Sequence, residues 1–221
     1  MLPIGDINPV RRTPYLTWAL LAINIIVFLW QLTIPPDQLN LMLRDLAAVP
    51  RNISADPFGL ESLLDGLRSM FLHGGFDHII GNMLYLFLFA DNIEDRLGKV
   101  LFLALYFISG YAAVYAQVII EPTSPIPMIG ASGAIAGILG AYLVMFPRVK
   151  VRALVGFGYN GRIAELPAII VLGFWFVLQL INGFASLGVA AEYGGGAAFF
   201  APIGGVFLAP LVAASPSRPW P

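Results

Sequence analysis

His73-Gly-Gly-Phe-Asp-His78-Ile-Ile-Gly-Asn82 opens an apolar run that lasts to about residue 90, and it carries both histidines of the chain. His78 and Asn82 are four residues apart, so a helix places them on one face. Polar side chains on an otherwise apolar helix indicate a face that packs against protein, because lipid offers them no hydrogen-bond partner. We therefore predict a helix here whose polar beginning is turned towards the interior of the protein.

The composition is that of a membrane protein. Of the 221 residues, 58% are hydrophobic and 11% are charged, whereas soluble domains have about 25% charged residues. The net charge of −1 shows no excess of basic residues of the kind that binds nucleic acid. The absence of cysteine excludes disulfides, thiolate nucleophiles and cysteine metal sites. We predict a single domain over 1–221 and no cofactor or metal.

Six apolar segments suit transmembrane helices of about 20 residues each. They lie at roughly 15–34, 78–91, 99–119, 130–147, 165–187 and 197–215. The predicted fold class is therefore an all-α membrane protein, a six-helix bundle with a long first loop. Met1 to Thr13 is polar, and no small-residue cleavage site follows the first apolar run, so we predict no cleavable signal peptide.

Basic residues predict the orientation of these spans. With the N-terminus in the cytoplasm, nine of the twelve fall on the cytoplasmic side: Arg11, Arg12, Arg96, Lys99, Arg148, Lys150, Arg152, Arg162 and Arg218. The opposite side holds Arg44, Arg51 and Arg68. By the positive-inside rule, we expect a multi-pass membrane protein with both termini in the cytoplasm.

The connection from about 35 to 77 is long for a membrane bundle. Its leucines, at 39, 41, 43 and 46 and again at 60, 63, 64 and 67, recur at helical spacing. We expect short helices in this first loop that lie partly in the outer leaflet.

Asp, Glu, Lys and Arg are absent from about 79–90, 100–119, 130–147 and 197–215. A proton or ion pathway usually needs such groups inside the membrane, which argues against a transporter. Nor does the chain offer the two buried aspartates of an aspartyl intramembrane protease or the His-Glu-x-x-His pattern of a zinc protease.

Ser132 lies in Gly130-Ala131-Ser132-Gly133, at the predicted start of the fourth span. Unpaired backbone N–H groups at a helix N-terminus can stabilise an oxyanion, and His78 and Asn82 on a neighbouring helix could add side-chain donors. Gly137, Gly140 and Ala141, like Gly204 and Gly205 of the sixth span, permit close helix packing. Taken singly, each feature has a simpler reading: interhelical hydrogen bonding by His or Asn, and a chance G-x-S-G in a glycine-rich chain.

Taken together, these motifs resemble the rhomboid family of intramembrane serine proteases. The stretch from His73 to Asn82 resembles the family's H-x-x-x-x-H-x-x-x-N motif, and the one around Ser132 resembles its G-x-S-G motif. Further likenesses lie in Met1 to Arg12, in the turn from Asp91 to Gly98, and in Leu166-Pro167-Ala168 with Gln179-Leu180. The likeness runs through nearly the whole chain, in order.

The resemblance implies roles for these residues. Ser132 would be the nucleophile of a Ser-His dyad, His78 and Asn82 would lie on the oxyanion side, and the supporting residues would be His73, Gly130, Gly133, Gly204 and Gly205. Where the family has Ala-His-x-Gly-Gly in the sixth span, this chain reads Ala201-Pro202-Ile203-Gly204-Gly205. Pro202 thus takes the place of the general base.

Proline cannot accept a proton, and a serine hydroxyl without a base is a poor nucleophile. We therefore favour a catalytically inactive or crippled rhomboid that binds transmembrane helices of other membrane proteins within the lipid bilayer. One alternative is an active endopeptidase in which His78 or a water relay serves as the base. The other is a transporter or scaffold that shares only the topology.

Overall fold

The computed structural model describes residues 1–156 and 161–193. Within these ranges there are three strands, β1 (Leu2–Asp6), β2 (Lys150–Val155) and β3 (Arg162–Pro167). The eight helices are α1 (Tyr15–Gln31), α2 (Pro36–Leu46), α3 (Pro50–Ala55), α4 (Leu60–Ser69), α5 (Phe76–Leu97), α6 (Lys99–Ile120), α7 (Ser132–Met145) and α8 (Ala168–Tyr193). The chain is mostly helical, as its composition predicts.

α7 lies at the centre of the packing. Every residue from Gly133 to Tyr142 is buried, and α7 packs against α5 and α6. Its glycines and alanines let the neighbouring backbones approach closely, because no large side chain keeps them apart. The largest side chains of the core, including Tyr106 of α6 and Phe89 of α5, fill the space around it.

α5 and α6 form a hairpin around a single glycine. Gly98 has φ +77°, the left-handed region in which glycine has no steric penalty. Its N–H donates to the carbonyl of Glu94, which ends α5, and α6 begins at the next residue. α5 is longer than the predicted span 78–91, because its polar ends remain helical inside the protein.

The strands form an antiparallel sheet in the order β1-β2-β3, with a bulge between Pro3 and Gly5. The expectation of an all-α fold is wrong in this respect. Charged and small apolar residues alternate along Lys150–Val155, a period of two that places Val151 and Ala153 on the buried side. The predicted fifth span, 165–187, also needs correction, because its first three residues belong to β3 and α8 begins only at Ala168.

The sheet and the site-bearing loops lie at opposite ends of the bundle. At the sheet end, the carboxylate of Glu94 in α5 accepts hydrogen bonds from the first turn of α1, namely from the N–H groups of Leu16 and Thr17 and the Thr17 hydroxyl, at 2.8–3.1 Å. Asp6 of β1 accepts from Tyr142 at 2.7 Å and from Asn92 at 3.0 Å. The N-terminal strand is thereby joined to the ends of α5 and α7.

The first loop contains short helices, α2, α3 and α4, as its leucine periodicity predicts. α3 and α4 pack against α6, while α2 has no buried residue. Exposed apolar side chains remain on this loop, with Leu41 on α2, Phe58 between α3 and α4, and Leu60 at the start of α4.

Helix length supports part of the predicted span pattern. Among the described residues, Lys99–Ile120 is the one helix both long and apolar enough to cross a bilayer. Three shorter apolar helices are Tyr15–Gln31, Ser132–Met145 and Ala168–Gln179. The count of six is thus not confirmed, and the predicted sixth span, 197–215, lies outside the described residues.

Candidate active site

Ser132 is the first residue of α7 and is half-buried. The first N–H groups of a helix have no intrahelical acceptor, so those of Ser132, Gly133 and Ala134 are available to a ligand, whereas the N–H of Ile135 donates to the carbonyl of Ala131. Gly130, two residues earlier, has φ +115°, and its own N–H donates to the carbonyl of Ser69 at 2.8 Å. The positive φ turns the chain sharply into the helix, and the hydrogen bond fixes that turn to the end of α4.

His78 and Asn82 of α5 lie against the turn that precedes Ser132. A Cβ atom built on Gly130 would stand 2.5 Å from His78 Nε2 and 3.4 Å from Asn82 Nδ2. Glycine is therefore required at 130 for two reasons, its backbone conformation and the space that these side chains occupy. The i, i+4 pair and the start of the G-x-S-G motif are thus neighbours.

His73 is fixed by two hydrogen bonds from Gln31, the last residue of α1. The Gln31 Oε1 accepts from the His73 N–H at 3.0 Å, and the Gln31 Nε2 donates to the His73 carbonyl at 3.1 Å. The imidazole is 2% exposed, and its ring centroid is 5.2 Å from that of His78. Burial, with a smaller effect of His78, lowers the pKa of His73 to about 4, so the ring is neutral at pH 7.

Hydrogen-bond partners assign the tautomers of the two rings. His73 Nδ1 is 3.3 Å from the carbonyl of Phe71, which can only accept, so Nδ1 carries the proton. His78 Nδ1 is 3.5 Å from the N–H of Gly74, which can only donate, so in His78 the proton lies on Nε2. His78 thus presents an N–H towards Gly130, whereas His73 retains a lone pair on Nε2.

Two buried polar atoms beside this turn have no hydrogen-bond partner among the described residues. They are His73 Nε2, an acceptor in the tautomer assigned above, and Asn82 Nδ2, a donor on a side chain that is 7% exposed. Buried polar groups in folded proteins are nearly always paired, so an unpaired one needs an explanation. A bound substrate carbonyl would supply an acceptor for Asn82.

A small cavity of about 20 Å³ adjoins Ser132, enough for about one water molecule. Its walls come from α4, α6, the approach to Ser132 and α7, and they consist of Ser69, Met70, Gly110, Ala113, Val114, Met128, Ile129, Gly130, Ser132, Gly133 and Ala134. The serine therefore borders on a small, partly open cavity.

The first loop holds the segment that leads to Ser132. Met128 N–H donates to the carbonyl of Ala48 at 2.7 Å, and Ala48 N–H donates to the Ser69 hydroxyl at 2.6 Å. A second tie runs from the N–H of Arg51 to the carbonyl of Ser124 at 3.1 Å. Ser69 thus binds both Ala48 and Gly130, and it stabilises the site from the side of α4.

Sequence reasoning missed Gln31 and Ser69 as residues that support the site. Both are polar residues at the ends of amphipathic or apolar helices, which is a weak signal by itself, because helix ends are often polar. Pro202, Gly204 and Gly205 lie outside the described residues. Within the described ranges, no three His, Asp or Glu side chains come together as a metal site would require.

Comparison with known proteins gives the family. A model described as the rhomboid domain matches residues 61–216, about 70% of the chain. The chain belongs to the rhomboid family. The match includes the histidines, Ser132 and the position of Pro202 in one domain. Rhomboid proteins are integral membrane proteins, which agrees with the composition of this one.

Individual rhomboid relatives come from bacteria, yeast and plants. "Putative rhomboid protease YdcA" of Bacillus subtilis is 37% identical over 121 residues, covering 55% of this chain and 59% of that protein. "Rhomboid protein 1, mitochondrial" of Saccharomyces cerevisiae is 30% identical over 141 residues, covering 62% and 38% respectively. "RHOMBOID-like protein 5" of Arabidopsis thaliana is 36% identical over 77 residues, covering 35% and 25%. This chain therefore matches less than two thirds of the length of each of these relatives.

Proposed function

We propose that this rhomboid protein binds transmembrane segments of other membrane proteins at the Ser132 site and hydrolyses peptide bonds negligibly. The observation that carries the proposal is Pro202, which stands where the resemblance to the family places the general-base histidine. The chain contains two histidines in all, His73 and His78. No third imidazole exists to replace the missing one.

The contacts of the two remaining histidines favour neither of them as a base for Ser132. His78 presents its N–H to the turn at Gly130, so its lone pair points away, towards the N–H of Gly74. A donor placed on the oxyanion side cannot also accept the serine proton without changing tautomer. His73 has a lone pair on Nε2, but Gln31 binds its backbone, and its Nδ1 donates to the carbonyl of Phe71. Losing one member of a serine catalytic set costs orders of magnitude in rate.

Binding can survive this loss because it uses other groups. The N–H groups at the start of α7 and the unpaired Nδ2 of Asn82 can donate to a peptide carbonyl whether or not a base is present. Such a site holds a partly unwound transmembrane segment, in which backbone carbonyls are exposed, better than an intact helix.

Cleavage of a model transmembrane substrate tests the proposal. The purified protein, reconstituted in proteoliposomes, is compared with Pro202→His and with the Pro202→His, Ser132→Ala double variant. We expect no fragment from the unmodified chain, a fragment from Pro202→His and none from the double variant. Cleavage by the unmodified chain that Ser132→Ala abolishes would overturn the proposal. Photocrosslinking of the same substrate to the unmodified chain measures binding separately.

An active serine endopeptidase is the second candidate. The observation in its favour is the retained geometry around Ser132, together with the buried, unpaired lone pair of His73 Nε2. If His73 or a water bound to it accepts the serine proton, then the unmodified chain cleaves the substrate and His73→Gln abolishes cleavage. The Gln31 contacts are to the backbone of His73, so they remain in this variant.

We also propose a multi-pass protein of the bacterial inner membrane, a single domain with both termini in the cytoplasm. Support comes from the distribution of basic residues. Arg44, Arg51 and Arg68 belong to the first loop, whereas the sheet end holds eight others: Arg11, Arg12, Arg96, Lys99, Arg148, Lys150, Arg152 and Arg162. Since the chain has no cysteine, Arg12→Cys and Arg51→Cys can be probed with an impermeant maleimide. Labelling of position 51, but not of position 12, in intact spheroplasts is the expected result.

A further inference from the structure

Among the residues that the structure describes, the bundle covers one face of the three-stranded sheet and leaves the other exposed. Pro3, Val151 and Ala153 are buried against the bundle. Because side chains alternate along a strand, their neighbours in sequence lie on the opposite, outer face. That outer face is built from two rows of different chemistry.

The first row is apolar and runs across all three strands. Leu2 pairs with Leu154, and Leu154 pairs with Ile163. These side chains are 48%, 38% and 64% exposed. Three large aliphatic side chains in register, all uncovered, form a continuous apolar strip rather than scattered surface residues.

The second row is cationic. Lys150 Nζ and Arg152 Nε are 3.7 and 3.6 Å from the same carboxylate, that of Glu165. One carboxylate thus faces two cations, so the row carries one net positive charge. The outer face therefore has an excess of positive charge next to its apolar strip.

The position of the sheet indicates what covers this face. β3 ends at Pro167 and α8 begins at Ala168 with no linker. The first turn of α8 exposes Ile169 and Ile170, which in an integral membrane protein face lipid. The sheet therefore lies where the hydrocarbon of the bilayer gives way to headgroups.

A protein partner suits the face less well. Three strands of about six residues cover roughly 14 by 20 Å, or about 300 Å², whereas a stable protein interface buries about 800 Å² on each side. Apolar side chains beside cations are typical of surfaces that lie in the membrane interface. We propose that the outer face of the β1-β2-β3 sheet lies on the bilayer, with Leu2, Leu154 and Ile163 in the interface and Lys150 and Arg152 on anionic phospholipid headgroups.

Single spin labels test this proposal, because the chain has no native cysteine. Leu154→Cys and Ile163→Cys are labelled in the full chain and reconstituted into vesicles of phosphatidylglycerol and phosphatidylcholine. Collision rates with oxygen, which partitions into lipid, and with a water-soluble nickel chelate are measured by power saturation. Ile170→Cys serves as the lipid-facing reference.

We expect collisions with oxygen to dominate at both sheet positions. The ratio of the oxygen to the nickel-chelate collision rate should approach that of the Ile170→Cys reference. The ratio of the oxygen to the nickel-chelate collision rate falls in pure phosphatidylcholine and in the Lys150→Gln, Arg152→Gln double variant, whose melting temperature reports that it remains folded. Free access of the nickel chelate in anionic vesicles overturns the proposal. Exclusion of both reagents also overturns the proposal if the spin-label spectrum shows dipolar broadening that increases with protein density. That result would identify a contact between copies of the protein.

Discussion

At the scale of single residues, the site depends on Gly130 more than on any polar group. Its φ of +115° and the contacts of its Cα with His78 and Asn82 leave no room for a side chain. The serine can stand at the start of α7, beside the polar face of α5, only because this residue permits the chain to turn there.

Gly130→Ala tests that dependence. The left-handed backbone and a Cβ 2.5 Å from His78 Nε2 together destabilise the protein by about 2–4 kcal/mol, measured from the shift in denaturation midpoint. Gly81→Ala is the matched control, because it lies in α5 with nothing within 4 Å of its Cβ, and it should stabilise by about 0.5–1 kcal/mol. Equal effects of the two substitutions would contradict the account of Gly130.

At the scale of the elements, helix ends are held by side chains from other elements rather than by their own caps. α1 has no side-chain cap of its own, and the buried Glu94 of α5 accepts from its first turn instead. Such a contact fixes the relative position of two helices as well as the end of one.

Glu94→Ala should therefore be costly. It leaves the N–H groups of Leu16 and Thr17 and the Thr17 hydroxyl without their acceptor, and we expect a loss of about 2–4 kcal/mol in unfolding free energy. Glu94→Gln keeps an acceptor and should lose less than half of that amount. If Ala and Gln destabilise the protein equally, the hydrogen bonds to α1 are not what stabilises it.

The N-terminal strand gives a prediction about pH. Burial, opposed by the Tyr142 hydroxyl and reinforced by Asp91, raises the pKa of Asp6 from 3.8 to about 6. A carboxyl whose pKa is raised on folding stabilises the fold below its unfolded pKa. That contribution disappears as the pH rises from about 4 to about 6.

Asp6→Asn isolates this group. The amide oxygen can still accept from Tyr142 and Asn92, but it cannot ionise. We expect the melting temperature of the variant, relative to the unmodified protein, to rise between pH 4 and pH 7. A difference between the two proteins that stays constant with pH would show that Asp6 is already ionised or undocked at pH 4.

Elements differ in how far the sequence predicts them. The leucine spacing of the first loop predicts its short helices, and the spacing of His78 and Asn82 predicts their shared face. The sheet was missed because its strands are five or six residues long and β1 contains both Pro3 and Gly5, which disfavour strands. Ties between distant residues, such as those from Gln31 to His73 and from Ser69 to Gly130, have no local signal, since nothing in the spacing of either partner specifies the other.

At the scale of the whole molecule, the bundle separates two tasks. One end carries the serine, the polar face of α5 and the loop helices that hold them. The other end carries the sheet, most of the basic residues and the hydrogen bonds from Asn92 and Tyr142 to Asp6 that hold the N-terminal strand. α5 and α7 connect the two, which is why the ends of both helices are fixed by hydrogen bonds from other elements.

We propose that this arrangement provides a binding site without an activated nucleophile. A fluorophosphonate probe measures that directly, because it reacts with an activated serine and not with an ordinary one. We predict negligible labelling of the unmodified chain and labelling of Pro202→His that Ser132→Ala removes. Strong labelling of Ser132 in the unmodified chain would contradict the account, since it would show that a base is present despite Pro202.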